Sequence, residues 1–418
     1  MNIFPRLPFC LYCLACFFLF GEAFAGSKKL RTQVGARSYF DVGVGEITNQ
    51  RYSIRQEASS FVYKKKYGLS LFSNVLFTWD AEQRFLENNR HYQIRADSLF
   101  VEWQKSVIRA SLGMQQLTWG ETFGLPIVDV VNPLDISQPF TVDLSELKMS
   151  VPLANLELIA DNFYVQVLYN PISRRTPVPD SINGVRVVQP EPFQFLKDSE
   201  YGGRVGYLFD FGLDVKFLYY EHYSRPLRYQ LELGQESVLP QLILVETKQQ
   251  SFGFSASQAF DVLVFRLDTV FENGFPFRNE IDDLPVQQAL LKKVQVSQRY
   301  QTIFAADYST DAGDNYGLQY QGLGYSKLPE IEEGYHPLLH WAGIRASWNF
   351  FQGQLNLDLF GITGVNNQDL WINAQTRVHV LKRVELSVEG NLMRSKKDGN
   401  RDLFQNRSVV NTGLIYVF

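Results

Sequence analysis

Cysteine is missing from the sequence after residue 16, because the three cysteines are Cys10, Cys13 and Cys16. The absence excludes disulfides, thiolate metal sites and a cysteine nucleophile from the rest of the chain. After residue 25 the sequence also lacks any apolar run near the ~20 residues of a membrane-spanning helix. Neither sign of charge dominates, and a formal net charge of −4 gives no reason to expect nucleic-acid binding. No Ser/Gly-rich or Pro-rich linker divides residues 26–418, which predicts a single domain there.

The first 25 residues have the pattern of an export signal. Arg6 precedes the almost wholly apolar residues 7–20, and a small-x-small cleavage pattern ends at Ala25. We therefore predict a signal peptide, residues 1–25, that is cleaved after Ala25. A lipoprotein signal would use Cys16, but the residues before it make a poor lipobox.

Short segments that alternate between apolar and polar residues follow one another through the rest of the chain. Alternation with a period of two predicts β-strands with one apolar and one polar face. The composition adds 33 Phe and 21 Tyr, enough for the two aromatic girdles of a membrane barrel. A soluble β-sandwich has the same period with its polar face in water, so alternation alone leaves both folds open. The clearest segments are residues 213–220, 263–271, 354–359, 370–380 and 384–389.

The connections between these segments alternate between short and long. Short turns on one rim and long loops on the other are typical of outer-membrane barrels, and a sandwich has no reason to keep that order. Short turns are predicted near residues 104–106, 161–162, 210–212, 261–262, 311–315, 352–353 and 382–383, and long loops near 81–93, 117–151, 171–200, 223–246, 274–293, 326–339 and 395–405.

We predict an all-β transmembrane antiparallel β-barrel of about 18 strands, with about 16 as the alternative. The first hairpin would pair residues 34–44 with residues 53–63, although its alternation is poor. The last strand, residues 408–418, carries Tyr416 and Phe418 on one face. This ending looks like the sorting signal that is read by the barrel-assembly machinery. An even strand number places both ends of the barrel sheet at the periplasmic rim.

In this register the charged side chains share the face opposite the apolar one. An Arg or Lys that faces lipid at mid-depth costs about 2–4 kcal/mol, so we expect the charged face to line a wet lumen. The charges would either brace and hydrate the wall or form a ladder that selects solutes. The candidates are Arg109, Lys216, Arg266, Asp268, Arg345 and Arg377.

The longest insertion without alternation runs through residues 117–151. Its apolar residues would be exposed in a free loop, so we expect the insertion to fold into the barrel mouth and narrow the lumen. Glu121, Asp129 and Asp135 would then present carboxylates beside Trp119. The alternative is a turn at the rim that packs on its neighbours.

This insertion also carries a motif. Residues 112–121 read Leu-Gly-Met-Gln-Gln-Leu-Thr-Trp-Gly-Glu, and they are followed by Gly124 and by Asp-Val-Val-Asn-Pro-Leu-Asp at residues 129–135. The motif resembles the hallmark of a family of Gram-negative outer-membrane proteins that is catalogued as a domain of unknown function and is similar in style to porin and alginate-export barrels. The resemblance implies a membrane channel or transporter, with hydrophobic or lipid-like solutes among the candidates. It supplies neither a substrate nor catalytic residues.

Two further patterns suggest chemistry that the rest of the sequence does not support. Ser224 lies two residues after His222, as in the rim Ser/His pairs of barrel hydrolases, but no acid or oxyanion hole accompanies them. His336 and His340 are four residues apart with Pro337 between them, and no Glu follows as in a zinc-protease motif. We therefore expect no enzyme activity, no metal and no cofactor.

The leading functional hypothesis is an outer-membrane channel or transporter for small solutes. A non-conducting barrel that acts as a scaffold for a periplasmic or electron-transfer partner is the alternative from another class, and a barrel hydrolase is the third. Outer-membrane lipid, lipopolysaccharide and the barrel-assembly machinery are the expected partners. The sequence leaves the solute and the oligomeric state open.

Overall fold

The computed structural model describes residues 28–43, 46–64, 68–80, 92–122, 127–134, 148–178, 181–182, 185–225, 229–233, 240–277, 295–326, 338–366, 369–394 and 407–417. The predicted signal peptide lies outside these ranges. Within them, no helix is long and apolar enough to cross a membrane.

The strands form two sheets, one of 18 strands and one of four, over the described residues. In chain order the strands are Lys28–Gly43 (β1), Glu46–Lys64 (β2), Leu69–Asp80 (β3), Tyr92–Lys105 (β4), Ile108–Gln115 (β5), Val151–Ala160 (β6), Phe163–Asn170 (β7), Ser181–Ile182 (β8), Val185–Val188 (β9), Glu200–Leu208 (β10), Leu213–Tyr223 (β11), Tyr229–Leu233 (β12), Pro240–Leu244 (β13), Lys248–Phe260 (β14), Leu263–Phe277 (β15), Gln295–Ser309 (β16), Asn315–Ser326 (β17), Leu338–Phe350 (β18), Leu355–Gly364 (β19), Leu370–Leu381 (β20), Val384–Arg394 (β21) and Arg407–Val417 (β22). The smaller sheet consists of β8, β9, β12 and β13, and all other strands belong to the larger one.

The larger sheet closes into a barrel, because its first and last strands pair with each other. β1 and β22 are antiparallel over a register that runs from Gln33 opposite Val417 to Asp41 opposite Val409. Among the described residues, closure leaves the larger sheet without a free edge strand, as a bilayer requires. The prediction of an all-β antiparallel barrel is confirmed, and the 18 described strands agree with the predicted number. The backbone of Tyr416 pairs with Val34 on β1, whereas Phe418 lies outside the described residues.

Tight turns join the barrel strands at one rim, where the sequence predicts short connections. Ser106, Asp161 and Asp261 have φ angles of 53°, 47° and 54°. Hairpins of two turn residues need this left-handed conformation because it matches the twist of the strands. Aspartate adopts it more readily than most residues, which explains why Asp begins two of these turns.

The two faces of the barrel wall differ in exposure in the way that the alternation predicts. On β11, Phe217 is 57% exposed, whereas Leu218 and Tyr220 are 6% and 0% exposed. The outward rings also contact each other across strands, with 5.1 Å between the ring centroids of Phe217 and Phe254. Such a pair contributes about 0.5–1.5 kcal/mol beyond the burial of its area. The outward face is therefore apolar and aromatic, as contact with lipid requires.

The smaller sheet lies in two long connections for which the sequence predicts loops. β9 pairs parallel with β13, and β12 pairs antiparallel with β13, so residues from both connections build one sheet. Its apolar core is made of Val178, Val187, Tyr229, Leu231 and Leu242. We call β8, β9, β12 and β13 the rim sheet, because both connections are on the side of the long loops.

Candidate functional site

The insertion between β5 and β6 is fixed to the barrel by Asn132, a residue of the Asp-Val-Val-Asn-Pro motif. Asn132 Oδ1 accepts the backbone N–H of Leu117 at 2.8 Å. Its Nδ2 donates to the carbonyls of Gln115 (3.1 Å) and Met149 (2.8 Å). One buried amide therefore ties both ends of the insertion together. We call the described residues 117–122 and 127–134 the inner segment.

Asp129 holds the inner segment in its folded shape. One carboxylate oxygen accepts the backbone N–H groups of Trp119 (2.5 Å) and Gly120 (3.1 Å), and the other accepts Lys148 Nζ (2.6 Å). The side chain of Asp129 is only 4% exposed. Its carboxylate faces the segment itself and braces it, in contrast to the expectation that it is presented at the barrel mouth. Asp135 lies outside the described residues.

Apolar side chains of the inner segment pack on the wall of the barrel. Trp119, Val128, Val130 and Val131 form one buried cluster with residues of the wall, namely Val151, Leu153, Leu168, Leu218, Tyr220 and Val270. Full burial of one such aliphatic side chain contributes roughly 1.5–3 kcal/mol. The wall residues alternate with exposed outward residues on their strands, so the inner segment covers the face opposite the lipid-facing one.

Two polar contacts confirm that this face is the concave one. Trp119 Nε1 donates to Gln166 on β7 at 3.0 Å, and three residues later the Thr122 hydroxyl donates to Asp268 on β15 at 2.8 Å. β10, β11 and β14 lie between these strands, a span of about 19 Å at ~4.8 Å per strand. Three residues of chain cover only about 11 Å. Side chains that point toward the barrel axis converge and can meet both contacts, whereas outward side chains diverge.

Charged groups of the wall receive the tip of the inner segment. Asp268 Oδ2 accepts the backbone N–H groups of Glu121 and Thr122, each at 3.0 Å, in addition to the Thr122 hydroxyl. Glu121 forms an ion pair with Lys216 on β11. Lys216 also contacts Asp214 at 2.8 Å. The structure thus brings together Trp119, Glu121, Lys216 and Asp268, four of the candidates named from the sequence.

The other basic candidates lie on the same inward face, and three of them have acidic neighbours. Arg266 pairs with Asp307, and Arg109 pairs with Glu157. Arg377 Nη2 lies 3.7 Å from Asp358 Oδ2. Arg345 is exposed and shares the inward face of β18 with the buried Trp341. Both signs of charge are therefore distributed around the inside of the wall.

Sequence reasoning did not find Arg204, which lies on the inward face of β10 beside Trp119. Arg204 Nε donates to Gln166 Oε1 (2.9 Å) and to the Tyr164 hydroxyl (3.0 Å). The guanidinium is 5.9 Å from the centroid of the Trp119 ring. Gly202 and Gly206 interrupt the alternation of apolar and polar residues on β10, so the strand is hard to recognise in the sequence. Arg204 lies two residues from each glycine and therefore on the same face, which is the inward face.

A second residue that the sequence analysis missed, Arg225, attaches the inner segment to the upper barrel. Its Nη2 donates to the carbonyl of Val131 (2.8 Å) and to Glu200 Oε2 (2.9 Å). Glu200 is fully buried and also accepts the Ser173 hydroxyl at 2.7 Å. Each unit of charge in this pair is therefore compensated, as a buried ion pair must be.

The pair proposed for a hydrolase does not form. His222 Nε2 contacts the hydroxyl of Ser251 at 2.9 Å, and Ser224 is occupied with the backbone of Thr247. Both His222 and Ser251 are buried, at 2% and 0% exposure, which leaves no access for a substrate. His340 contacts the Tyr320 hydroxyl at 2.5 Å, and His336 lies outside the described residues. Among the described residues there is no cluster of three or more His, Cys, Asp or Glu that could hold a metal.

Comparisons with solved structures agree with this fold. The chain is similar to Acinetobacter baumannii OccAB4, with a TM-score of 0.55, 10% identity, and coverage of 94% of this chain and 98% of that one. It is also similar to Acinetobacter baumannii OccAB2, with a TM-score of 0.54, 10% identity, and coverage of 94% and 98%. For Pseudomonas aeruginosa OccK11 the TM-score is 0.52 at 10% identity, with coverage of 94% and 96%.

At this level of identity the likeness shows the fold alone, which is that of the outer-membrane porin barrels. No family model matches the chain, and no curated protein matches it at a significant level.

Proposed function

We propose that this chain is an outer-membrane channel for small solutes, with a lumen lined by the charged inward face and narrowed by the inner segment. The proposal rests mainly on the contacts at the tip of the inner segment. Glu121 pairs with Lys216, and both Glu121 and Thr122 donate hydrogen bonds to Asp268. These contacts hold a charged piece of chain against the inside of a closed barrel. A solute that crosses the barrel would pass these groups.

The charge distribution supports a water-filled passage. On the inward face, Arg345 is exposed and the side chain of Arg377 is 43% exposed. A dry, apolar lumen would bury these charges without full compensation, which would be very costly. An 18-stranded barrel also has room for an aqueous path beside an inserted segment. Selection would follow from the width of the passage and from the arrangement of its charges.

The outward face supports a location in the outer membrane. Exposed aromatic and aliphatic side chains cover it, for example Phe217, Phe252 and Leu318 at 57%, 47% and 64% exposure. Lipid and lipopolysaccharide are the proposed surroundings, and the predicted signal peptide would provide export. The motif in residues 112–135 is the basis for proposing kinship with the domain-of-unknown-function family of outer-membrane proteins.

Planar-bilayer recording tests the proposal. Purified chain that begins after Ala25 should produce stepwise conductance. Deletion of residues 120–136 should raise the single-channel conductance, because it removes the segment that narrows the lumen. Deletion of residues 181–188 from the rim sheet is the matched control and should change the conductance much less.

Both deletion variants must first show barrel content by circular dichroism and the heat-dependent gel mobility of a folded barrel. An absence of conductance from folded wild-type protein would refute the channel. Equal conductance of the wild type and the 120–136 deletion would refute the narrowing by the inner segment.

A further inference from the structure

The turn at residues 193–198, which we call the outer turn, lies against the outer circumference of the barrel. The ring of Phe193 is 4.6 Å from the ring of Tyr223. Tyr223 continues the outward face of β11, on which Phe217 is exposed. The outer turn is therefore on the side of the wall opposite the inner segment.

Many hydrogen bonds fix the shape of the outer turn. Asp198 Oδ2 accepts the backbone N–H of Gln194 (2.7 Å), and Asp198 Oδ1 accepts the Tyr223 hydroxyl (2.8 Å). The backbone N–H of Leu196 donates to the carbonyl of Pro171 at 2.7 Å. The guanidinium of Arg175, which is held by Glu246 through two contacts of 2.8 Å, lies 4.1 Å from the centroid of the Phe193 ring.

This ordered turn holds two large apolar side chains in the open. Phe195 is 65% exposed and Leu196 is 55% exposed. Leu196 has a φ of 63°, a left-handed conformation that is unfavourable for leucine. The outer turn therefore has an unfavourable backbone conformation at Leu196, although burial of its two apolar side chains does not compensate for this cost.

The position of the outer turn is at the upper edge of the lipid-facing belt. From Leu213 to Tyr223, β11 rises about 25 Å along the barrel axis if its tilt is near 40°. That rise equals the usual height of the apolar band, also about 25 Å. Directly below Tyr223, the carboxylate of Glu221 accepts the hydroxyl of Tyr201 at 3.1 Å. A polar group ringed by tyrosine is typical of the membrane–water interface.

Basic side chains accompany the apolar pair. Lys197 is an exposed residue of the outer turn itself, and Lys248 Nζ lies 5.7 Å from the centroid of the Tyr223 ring. Long basic side chains at such a level extend their charged ends toward lipid headgroups. Apolar tips with lysines beside them match a lipid surface.

We propose that the outer turn is a membrane-docking element in which Phe195 and Leu196 enter the acyl layer of the outer leaflet, with Lys197 and Lys248 at the level of the headgroups. The occupant of this surface is membrane lipid, because the turn adjoins the upper edge of the lipid-facing belt. This inference rests on the membrane location in the proposed function, but it is independent of conduction.

Single-cysteine labelling tests the docking, because the chain after Ala25 has no cysteine of its own. Three variants, F195C, E191C and F217C, are each labelled with the environment-sensitive dye NBD and reconstituted into phosphatidylcholine vesicles. Half of the samples contain doxyl-labelled lipid, which quenches dyes in the acyl layer. Glu191 is an exposed residue of the same connection, and Phe217 is in the middle of the belt. L196C serves as a second probe of the turn in case F195C folds poorly.

We expect the dye at position 195 to emit at a shorter wavelength than the dye at position 191. Doxyl lipid should reduce its intensity by at least half as much as it reduces the intensity of the dye at position 217. The dye at position 191 should lose little. Water-like emission at positions 195 and 196 together with strong quenching at position 217 would overturn the docking and leave the channel untouched. An unquenched dye at position 217 would overturn the membrane location itself, and the docking with it.

Discussion

At the scale of single residues, Asp268 is the side chain on which the position of the inner segment depends most. One of its oxygens accepts three hydrogen bonds from residues 121 and 122, and the residue is fully buried. Hydrogen bonds to a charged acceptor are about twice as strong as neutral ones. The sequence predicts the inward position of Asp268 by alternation, but not its partners, which are nearly 150 positions away and converge only in the closed barrel.

We expect Asp268→Asn to loosen the inner segment. The amide can keep its oxygen in the place of Oδ2 and put its NH2 group in the place of Oδ1, which has no hydrogen-bond partner among the described residues. The amide carries no charge, however, so the three hydrogen bonds weaken, at a total cost of about 1–3 kcal/mol. Urea unfolding in detergent should show the loss, and single-channel records should become noisier. Asp358→Asn is the matched control, because the Asp358 carboxylate lies 3.7 Å from Arg377 Nη2, which is beyond hydrogen-bond distance. Equal unfolding midpoints for the Asp268 variant and the wild type would contradict the anchoring role.

At the scale of elements, the rim sheet is held by a small core that contains the hydroxyl of Tyr229. This hydroxyl is buried, and no hydrogen-bond partner for it is found among the described residues. Burial raises the pKa of Tyr229 to about 12, because the charged phenolate is disfavoured there. The folded pKa exceeds the unfolded value of about 10. The stability that Tyr229 contributes is therefore complete below pH ~10 and is lost as the pH rises through about 12.

Hydrogen exchange should show this pH dependence in β12 and β13. Protection of residues 229–233 and 240–244 should fall between pH 10 and 12, relative to the intrinsic exchange rate. Tyr229→Phe should remove that loss. At neutral pH it should also stabilise the rim sheet, by up to about 1–3 kcal/mol, because it removes this buried hydroxyl. The same pH dependence in the phenylalanine variant would show that Tyr229 is not its source.

The barrel strands and the rim sheet differ in how well sequence predicts them, for a physical reason. The wall of a barrel separates two environments, so each strand of about ten residues carries a period of two that is visible without tertiary knowledge. The strands of the rim sheet have two to five residues, which is too short for a period. β9 and β13 pair although they come from different connections. The β10–β11 hairpin, which separates the two connections in the sequence, places them side by side in the fold.

The insertion between β5 and β6 shows the same limit within one element. Its valines would be exposed in a free loop, so the sequence predicts that they pack against another part of the protein. In the structure they pack on the wall of the barrel. The direction of Asp129 was not predictable, because a carboxylate in an irregular segment can face water or its own backbone. Here the N–H groups of Trp119 and Gly120 take up one oxygen, and Lys148 neutralises the other.

At the scale of the whole molecule, closure between the first and last strands determines which face is inside. In the register of β1 with β22, Ala36 lies opposite Leu414. Residues directly opposite in an antiparallel pair have Cα atoms about 4.5–5.5 Å apart, which is within the range of a disulfide. If the pairing of β1 with β22 slipped by one residue, the inward and outward faces would exchange. The register is therefore a prediction that cross-linking can test.

A chain that begins after Ala25 and carries Ala36→Cys with Leu414→Cys should form a disulfide when oxidised. The cross-linked chain is nearly circular and should migrate faster than the reduced form on a denaturing gel. The control pairs Ala36→Cys with Val410→Cys, four residues out of register and therefore about 13 Å further along the strand. Cross-linking of the control with equal yield would contradict this pairing of β1 with β22.

In the proposed channel, the charged face of the barrel borders a conducting path. The most direct measurement is the reversal potential of single channels in a salt gradient, for Arg345→Glu on the inward face and for Lys248→Glu on the outer circumference. Both variants change the charge by the same amount. We expect a clear shift toward cation selectivity for Arg345→Glu and almost none for Lys248→Glu. Equal shifts in the two variants, or folded protein that does not conduct, would contradict the proposed channel.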